Sequence, residues 1–399
     1  MTNIPQFAFQ NLQYLLPENR IAGFPLAERD HAKLLHYHDG LIQDYHFYDI
    51  STLLPTGSLL IGNNTKVIPA RLIFPKEEGS NVELFLLTPL SPDWSVWEVM
   101  VGNRRKFKEG QTLSLTGGDD NEITLTANWQ NRNLNVIRLQ VSQPYSIPEA
   151  LEIFGKVPLP PYIKREMTHE DKERYQTVFA EVAGAVAAPT ASLHFTERVL
   201  QNLDEAGIKR NYLTLHVGAG TFKPVKTEFA SEHEMHKEQF HINSELLADI
   251  VSHLRSGSKV IASGTTSMRV LESLHYLGAR IMQGVQNPED IPHDAGFDPQ
   301  YKNVNLNDSL DALSSYVVQL GGELSGNTAI FILPGFDFKI CDALITNFHQ
   351  PGSTLMALVS AFVGEDWQKI YGHALESDYR FLSYGDSSLL FRNGHNRQL

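Results

Sequence analysis

The sequence predicts an α/β fold with a smaller all-β unit set into it. Three observations carry this. Apolar strand-like runs alternate with amphipathic helical runs after residue 193. Short strand-like runs with turn-rich joints fill residues 72–140. Three strand ends, at 216–222, 263–267 and 347–354, carry polar loops containing glycine. In α/β folds the ligand site lies at the C-terminal ends of the strands, so these loops mark an enzyme's site.

In chain order, the sequence opens with an irregular arm. ERDHAKLLHYH (28–38) fits a short helix or a turn into a strand, with Arg29 and Asp30 as a solvated pair. Pro55-Thr56-Gly57 is a turn, and Ser58–Ile61 is a buried strand. Asn63-Asn64-Thr65-Lys66 is then either a ligand loop or a β-turn. VELFLL, WSVWEVMVG, QTLSLT, EITLTANW and LNVIRLQV form a small all-β barrel or sandwich. Within it RRKFK sets Arg104, Arg105, Lys106 and Lys108 around Phe107. This dense basic cluster is either a phosphate-contacting hairpin tip or a solvated strand end.

VPLPPY forms an extended proline strap leading to a helix capped by Thr168 and closed by Gly184. GAVAAPTASLHFT (184–196) follows, small residues with three hydroxyls and one histidine, where backbone and ligand can approach closely. A tight connection with a helix cap is the alternative. LHFTERVLQNLDEAG is helical, ending at Gly207. NYLTLHV, then KVIAS with a Gly264-Thr265-Thr266-Ser267 turn and a helix, repeat the strand-to-loop pattern. TAIFILPGF and CDALITNF supply two further strands, and Ser353 caps the last clear helix. The polar stretch 283–308 fits a surface insertion.

Lysine and arginine number 33 against 46 acidic residues, a net charge of −13, which argues against non-specific nucleic-acid binding over the whole surface. No run of eighteen apolar residues is present, and the N-terminus lacks a signal-peptide pattern, so a cytoplasmic location is expected. The single cysteine, Cys341, excludes an intramolecular disulfide and fits a buried thiol. HEMH (233–236) lacks the i, i+4 spacing of a helical zinc site, and no Cys pair exists, so no metal is expected. G-x-S-x-G, a P-loop and a dinucleotide fingerprint are all missing. His194, His216, His233, His236 and His349 are the candidate acid–base groups.

Several motifs together resemble one family. They are NNTKVIPARL (63–72), VPLPPYIKR (157–165), ERYQTVFA (173–180), VAAPTASLHFT (186–196), TLHVGAGTFKPV (214–225) and HEMHKE (233–238). GTTSMRVLES (264–273), ILPGFDFK (332–339), TNFHQPGSTL (346–355), LVSAFVG (358–364) and YRFLSYGD (379–386) continue the series. In this order they resemble the S-adenosylmethionine:tRNA ribosyltransferase-isomerases of queuosine biosynthesis. The resemblance implies a large α/β barrel-like domain (1–71 plus 153–399) with a small β-barrel domain (72–152) inserted. It implies that S-adenosylmethionine is the co-substrate and that the partner is tRNA carrying 7-aminomethyl-7-deazaguanine, with a monomeric protein and no membrane. On residue type and motif placement, His194, His216, His236 and His349 are the expected catalytic groups. Thr190, Ser192, Gly218, Gly220, Thr265, Thr266 and Asn347 are the expected cofactor contacts. Arg104, Arg105, Lys106 and Lys108 are the expected nucleic-acid contacts. The chain departs from the family pattern at Asn64, Ala185, Ser192, Lys237 and Gly352. A non-catalytic S-adenosylmethionine- or RNA-binding relative, and a same-fold transferase with an altered substrate, are the alternatives.

Overall fold

The computed structural model describes residues 3–76, 79–118, 122–218 and 225–392. Its strands, in chain order, begin with β1 (Lys33–His38), β2 (Leu41–His46), β3 (Leu59–Asn63), β4 (Thr65–Val67), β5 (Arg71–Pro75) and β6 (Asn81–Pro89). Next come β7 (Val96–Gly102), β8 (Thr112–Gly117), β9 (Ile123–Asn131), β10 (Val136–Val141), β11 (Val182–Ala185) and β12 (Lys209–Leu215). The last six are β13 (Glu238–Asn243), β14 (Val260–Ser263), β15 (Asp290–Ile291), β16 (Glu323–Thr328), β17 (Ala343–Asn347) and β18 (Ser387–Phe391). The α-helices are α1 (Ile50–Leu53), α2 (Ile147–Phe154), α3 (Asp171–Arg174), α4 (Glu197–Glu205) and α5 (Ser244–Ser256). They continue with α6 (Thr265–Met282), α7 (Leu306–Gln319), α8 (Thr354–Val363) and α9 (Trp367–Glu376).

Ten strands form one mixed sheet in the order β15-β16-β13-β12-β3-β14-β17-β18-β1-β2. Its centre, β12-β3-β14-β17, is parallel, so four strands end along one edge. Both faces of that centre are covered, as parallel strands require. Leu59 and Ile61 of β3 enter one core with Val260 and Ala262 of β14 and Leu344 of β17. The alternate residues Leu60, Ile261, Ala343 and Ile345 enter the core on the other face. Helix α6 is buried on almost every side and crosses α7 so closely that a Cβ at Gly278 would meet the Ser309 carbonyl.

The run from Arg71 to Val141 forms a six-stranded antiparallel sheet, β5-β6-β7-β10-β9-β8. It has its own core, built on Trp97, Phe107 and Leu125, and α2 closes it with Ile147, Ala150 and Leu151. A Ser146–Glu149 capping box starts α2.

Four sequence expectations are corrected. The helix from Thr168 to Gly184 shrinks to the four residues of α3. The Asp171 carboxylate accepts from the Thr168 amide (2.8 Å) and from both Arg165 terminal nitrogens (2.6 and 2.8 Å), and Val182–Ala185 pair with β4 as strand β11. The 328–336 run is strand only to Thr328; beyond it, the Ala329 and Phe331 amides donate to the Ile291 and His293 carbonyls. That contact also explains why 283–308 is no surface insertion: Ile291, Ala295, Tyr301 and Leu306 are core residues. Asp30 is not solvated; it is 3 % exposed and bonded to Thr196 (2.7 Å) and Arg198 (2.9 Å).

Candidate active site

The C-terminal ends of β14 and β17 open into a cavity of about 200 Å³. At β14 the chain turns through Gly264, whose φ of 94° suits glycine and whose amide donates to the Ile345 carbonyl (2.8 Å). Helix α6 begins at once, and no side chain caps it. Its first-turn N–H groups lie beside Thr265 and Thr266 in the cavity wall, a favourable seat for a carboxylate. Helix α8 is different: the Ser353 hydroxyl accepts from the Met356 amide (3.2 Å).

The opposite wall is the 188–191 segment. Thr190 donates to Asn347 Oδ1 (2.8 Å), and both residues line the cavity. Behind Asn347 lies His194, with its Nε2 at 3.5 Å from Asn347 Nδ2 and its Nδ1 at 3.2 Å from the Arg29 carbonyl. A carbonyl can only accept, so the proton sits on Nδ1 and Nε2 is the acceptor. Burial lowers the His194 pKa to about 4 and the His349 pKa to about 3. Both imidazoles are therefore uncharged at neutral pH. His349 lines the cavity, its Nε2 at 2.9 Å from the Thr346 hydroxyl. Tyr162, delivered by the proline strap, also lines it; burial raises its phenol to about 12, and it bonds Ser383 at 2.6 Å.

Of the residues expected from sequence, Thr190, Thr265, Thr266, Asn347 and His349 thus converge on one cavity. Ser192 is buried away from it, with its hydroxyl 2.8 Å from that of Ser263. His194 lines a small neighbouring recess with Arg29, Arg174 and Arg380. His216 lies in a separate cleft beside Trp94. His236 is exposed, whereas His233 packs edge-on against Phe9. Gly218 is half-buried with open space around it, and Gly220 lies outside the described residues. Arg104–Lys106 form an exposed 3-10 turn, but Phe107 is fully buried and stacks on Trp129. Gln13, Tyr162 and Ser383 line the cavity without having been singled out. The strap held a signal for Tyr162; nothing local marks Gln13.

Three of the family departures, Asn64, Lys237 and Gly352, have local reasons. Asn64 accepts from Thr214 (2.7 Å) and donates to Glu181 (3.4 Å), a carboxylate that would repel an aspartate here. Lys237 pairs with Asp290 (2.6 Å). Gly352 sits at φ 65°, where a Cβ would come within 2.3 Å of the Gln13 amide nitrogen. Among the described residues, one group brings metal-ligand atoms together, Glu28, Asp30 and His31 at the surface. Its Asp30 is already committed to Arg198.

A family model described as queuosine biosynthesis protein matches residues 9–390. The S-adenosylmethionine:tRNA ribosyltransferase-isomerase of Azoarcus sp. (strain BH72) is 38% identical over 389 residues, 97% of this chain and 99% of that one. Its counterpart from Polynucleobacter necessarius subsp. necessarius (strain STIR1) is 41% identical over 388 residues, 96% and 97% of the two chains. The crystal structure of S-adenosylmethionine tRNA ribosyltransferase from Thermotoga maritima aligns over 95% of this chain and 99% of that one, at 26% identity and TM-score 0.48. With the family model and both relatives matched along nearly its whole length, the chain belongs to the queuosine biosynthesis protein family.

Proposed function

We propose that this chain is an S-adenosylmethionine:tRNA ribosyltransferase-isomerase. It transfers the ribosyl part of S-adenosylmethionine to 7-aminomethyl-7-deazaguanine in the tRNA wobble position, with release of adenine and methionine, and isomerises it to give epoxyqueuosine. The observation that carries this is the near full-length relation to enzymes of that name.

The cavity suits the chemistry. A sulfonium acidifies its neighbouring C5′ hydrogens, so a base must take one, and adenine needs a proton to leave. His349 is the base in the cavity wall. Burial keeps its imidazole uncharged, and the Thr346 hydroxyl 2.9 Å from Nε2 fixes the ring. The uncharged His194 and His349 do not repel a sulfonium. The open N-terminus of α6 receives the methionine carboxylate, with Thr265 and Thr266 beside it. Thr190 and Asn347 orient the ribose, and His194 acts through Asn347.

On this reading no metal takes part and the protein acts in the cytoplasm as a monomer. Residues 72–152 are a small β-barrel domain inserted in a barrel-like larger one, a division that the separate core of the six-stranded sheet supports.

The test is direct. Protein, S-adenosylmethionine and tRNA bearing the aminomethyl base should yield free adenine and the mass of epoxyqueuosine. An absence of adenine release, beside an active relative under the same conditions, overturns the proposal.

A further inference from the structure

A second cleft, of about 370 Å³, lies between the two sheets. One wall is the β6–β7 loop, with Pro89, Leu90, Pro92 and Trp94. The other is Gly184, His216 and Gln239. The loop is pre-organised. Asp93 accepts from the Ser91 hydroxyl (2.6 Å) and from the Ser95 amide (3.2 Å), and the Leu90 amide donates to Val96 (2.7 Å). Trp94 is held at φ 58°, a left-handed conformation that a bulky residue rarely adopts. Leu90 remains 53 % exposed.

The facing ledge is shaped with equal care. His216 holds the Thr65 hydroxyl on Nδ1 (2.9 Å), and its Nε2 has no partner among the described residues. Gly184 leaves room for that ring: a Cβ there would come within 2.7 Å of it. Lys66, in register with Ala183 at the cleft, is exposed and has no ion-pair partner among the described residues. An aromatic wall, a ring nitrogen, an amide and an unpaired cation are the parts that hold one unpaired nucleotide. The cleft also adjoins the proposed active site. His216 lines it, and the next residue, Val217, lines the first cavity.

We propose that this cleft is a nucleotide subsite, taking an unpaired residue of the RNA beside the reactive one. The base stacks on Trp94, its edge meets His216 Nε2 and the Gln239 amide, and Lys66 meets the phosphate. The inference rests on the tRNA reading above for its choice of occupant.

The experiment titrates an anticodon stem-loop RNA against intrinsic fluorescence, with turnover measured separately. RNA should quench the wild-type protein, and Trp94→Phe should lose part of that quench while binding nearly as tightly. Trp94→Ala should weaken RNA binding about tenfold, with the loss in KM for RNA and not in kcat. Lys66→Ala should lower the salt slope by about one unit. Wild-type affinity in a folded Trp94→Ala protein, or an unchanged quench in Trp94→Phe, overturns the subsite. Should Trp94→Ala not fold, the Trp94→Phe quench decides alone. RNA binding that depends on Trp94 without adenine release would refute the proposed activity and leave the subsite standing. Adenine release with a KM for RNA that is unchanged in Trp94→Ala would do the reverse.

Discussion

Asn347 bridges His194 and Thr190: its amide nitrogen lies 3.5 Å from His194 Nε2, and its amide oxygen accepts from the Thr190 hydroxyl at 2.8 Å. The histidine thereby fixes which end of the amide faces Thr190 without itself lining the cavity. His194→Ala should lower kcat by less than the roughly 10²-fold that loss of a direct general base brings. The shape of the pH–rate profile should stay the same. A displaced limb in that profile would make His194 a proton carrier in its own right.

Three deeply buried imidazoles make the fold acid-sensitive. Burial lowers His194 and His275 to about 4 and His349 to about 3. Unfolded, each titrates near 6.5. Between those values the unfolded chain binds more protons, so stability is complete above pH 6.5 and falls as pH drops toward 4. Denaturation midpoints from pH 7.5 to 4.5 should show this decline. His275, bonded to Ser309 (2.9 Å), does not line the cavity. His275→Met should flatten the decline by up to one proton, and an unaltered slope would refute the assignment.

Arg269 and Glu238 join two sequence motifs by a buried ion pair, with Arg269 Nε also donating to the Ile330 carbonyl (3.2 Å). Removing one member strands a buried charge. Glu238→Ala should cost about 3–5 kcal/mol, read by chemical denaturation. A midpoint equal to the wild type's would show that water reaches the site.

The basic turn makes a separable prediction. Arg104 is partly committed, lying over the Trp129 ring and donating to the Arg132 carbonyl. Arg105, Lys106 and Lys108 are exposed. The triple alanine variant should lower the salt slope of tRNA binding by about two to three units if these cations meet phosphates. An identical slope would make the turn a solvated strand end. It lies at the far end of β7 from Trp94, about 20 Å away at strand rise.

Local patterns were legible where local chemistry decides. The Ser353 cap, the turn at Gly264 and the strands at 260–263 and 343–347 follow directly from their residues. The helix expected at 168–184 failed because Arg165 and β4, both outside the pattern, claim its residues. Helix α9 carries no strong boundary signal and escaped notice. At the site, hydroxyls and amides on strand ends were found, whereas of the expected histidines His349 lines the cavity, His194 lies behind it, His216 lines another cleft and His236 is exposed, a sorting that residue type cannot show. Trp94 was hidden because it reads as an ordinary residue of a β-rich segment.

The placement of β18 between β17 and β1 has a consequence for biosynthesis. Strand β1 leaves the ribosome long before its parallel partner β18. The hairpin of β1 and β2 must therefore wait, its edge open, while more than 300 residues are made. The six-stranded sheet, contiguous in the chain, can fold meanwhile. The cavity itself draws on Gln13 and on Ser383. A chain stopped before Ser383 would hold a finished small sheet and an incomplete cavity, so the pocket forms only when synthesis of the large sheet is nearly done.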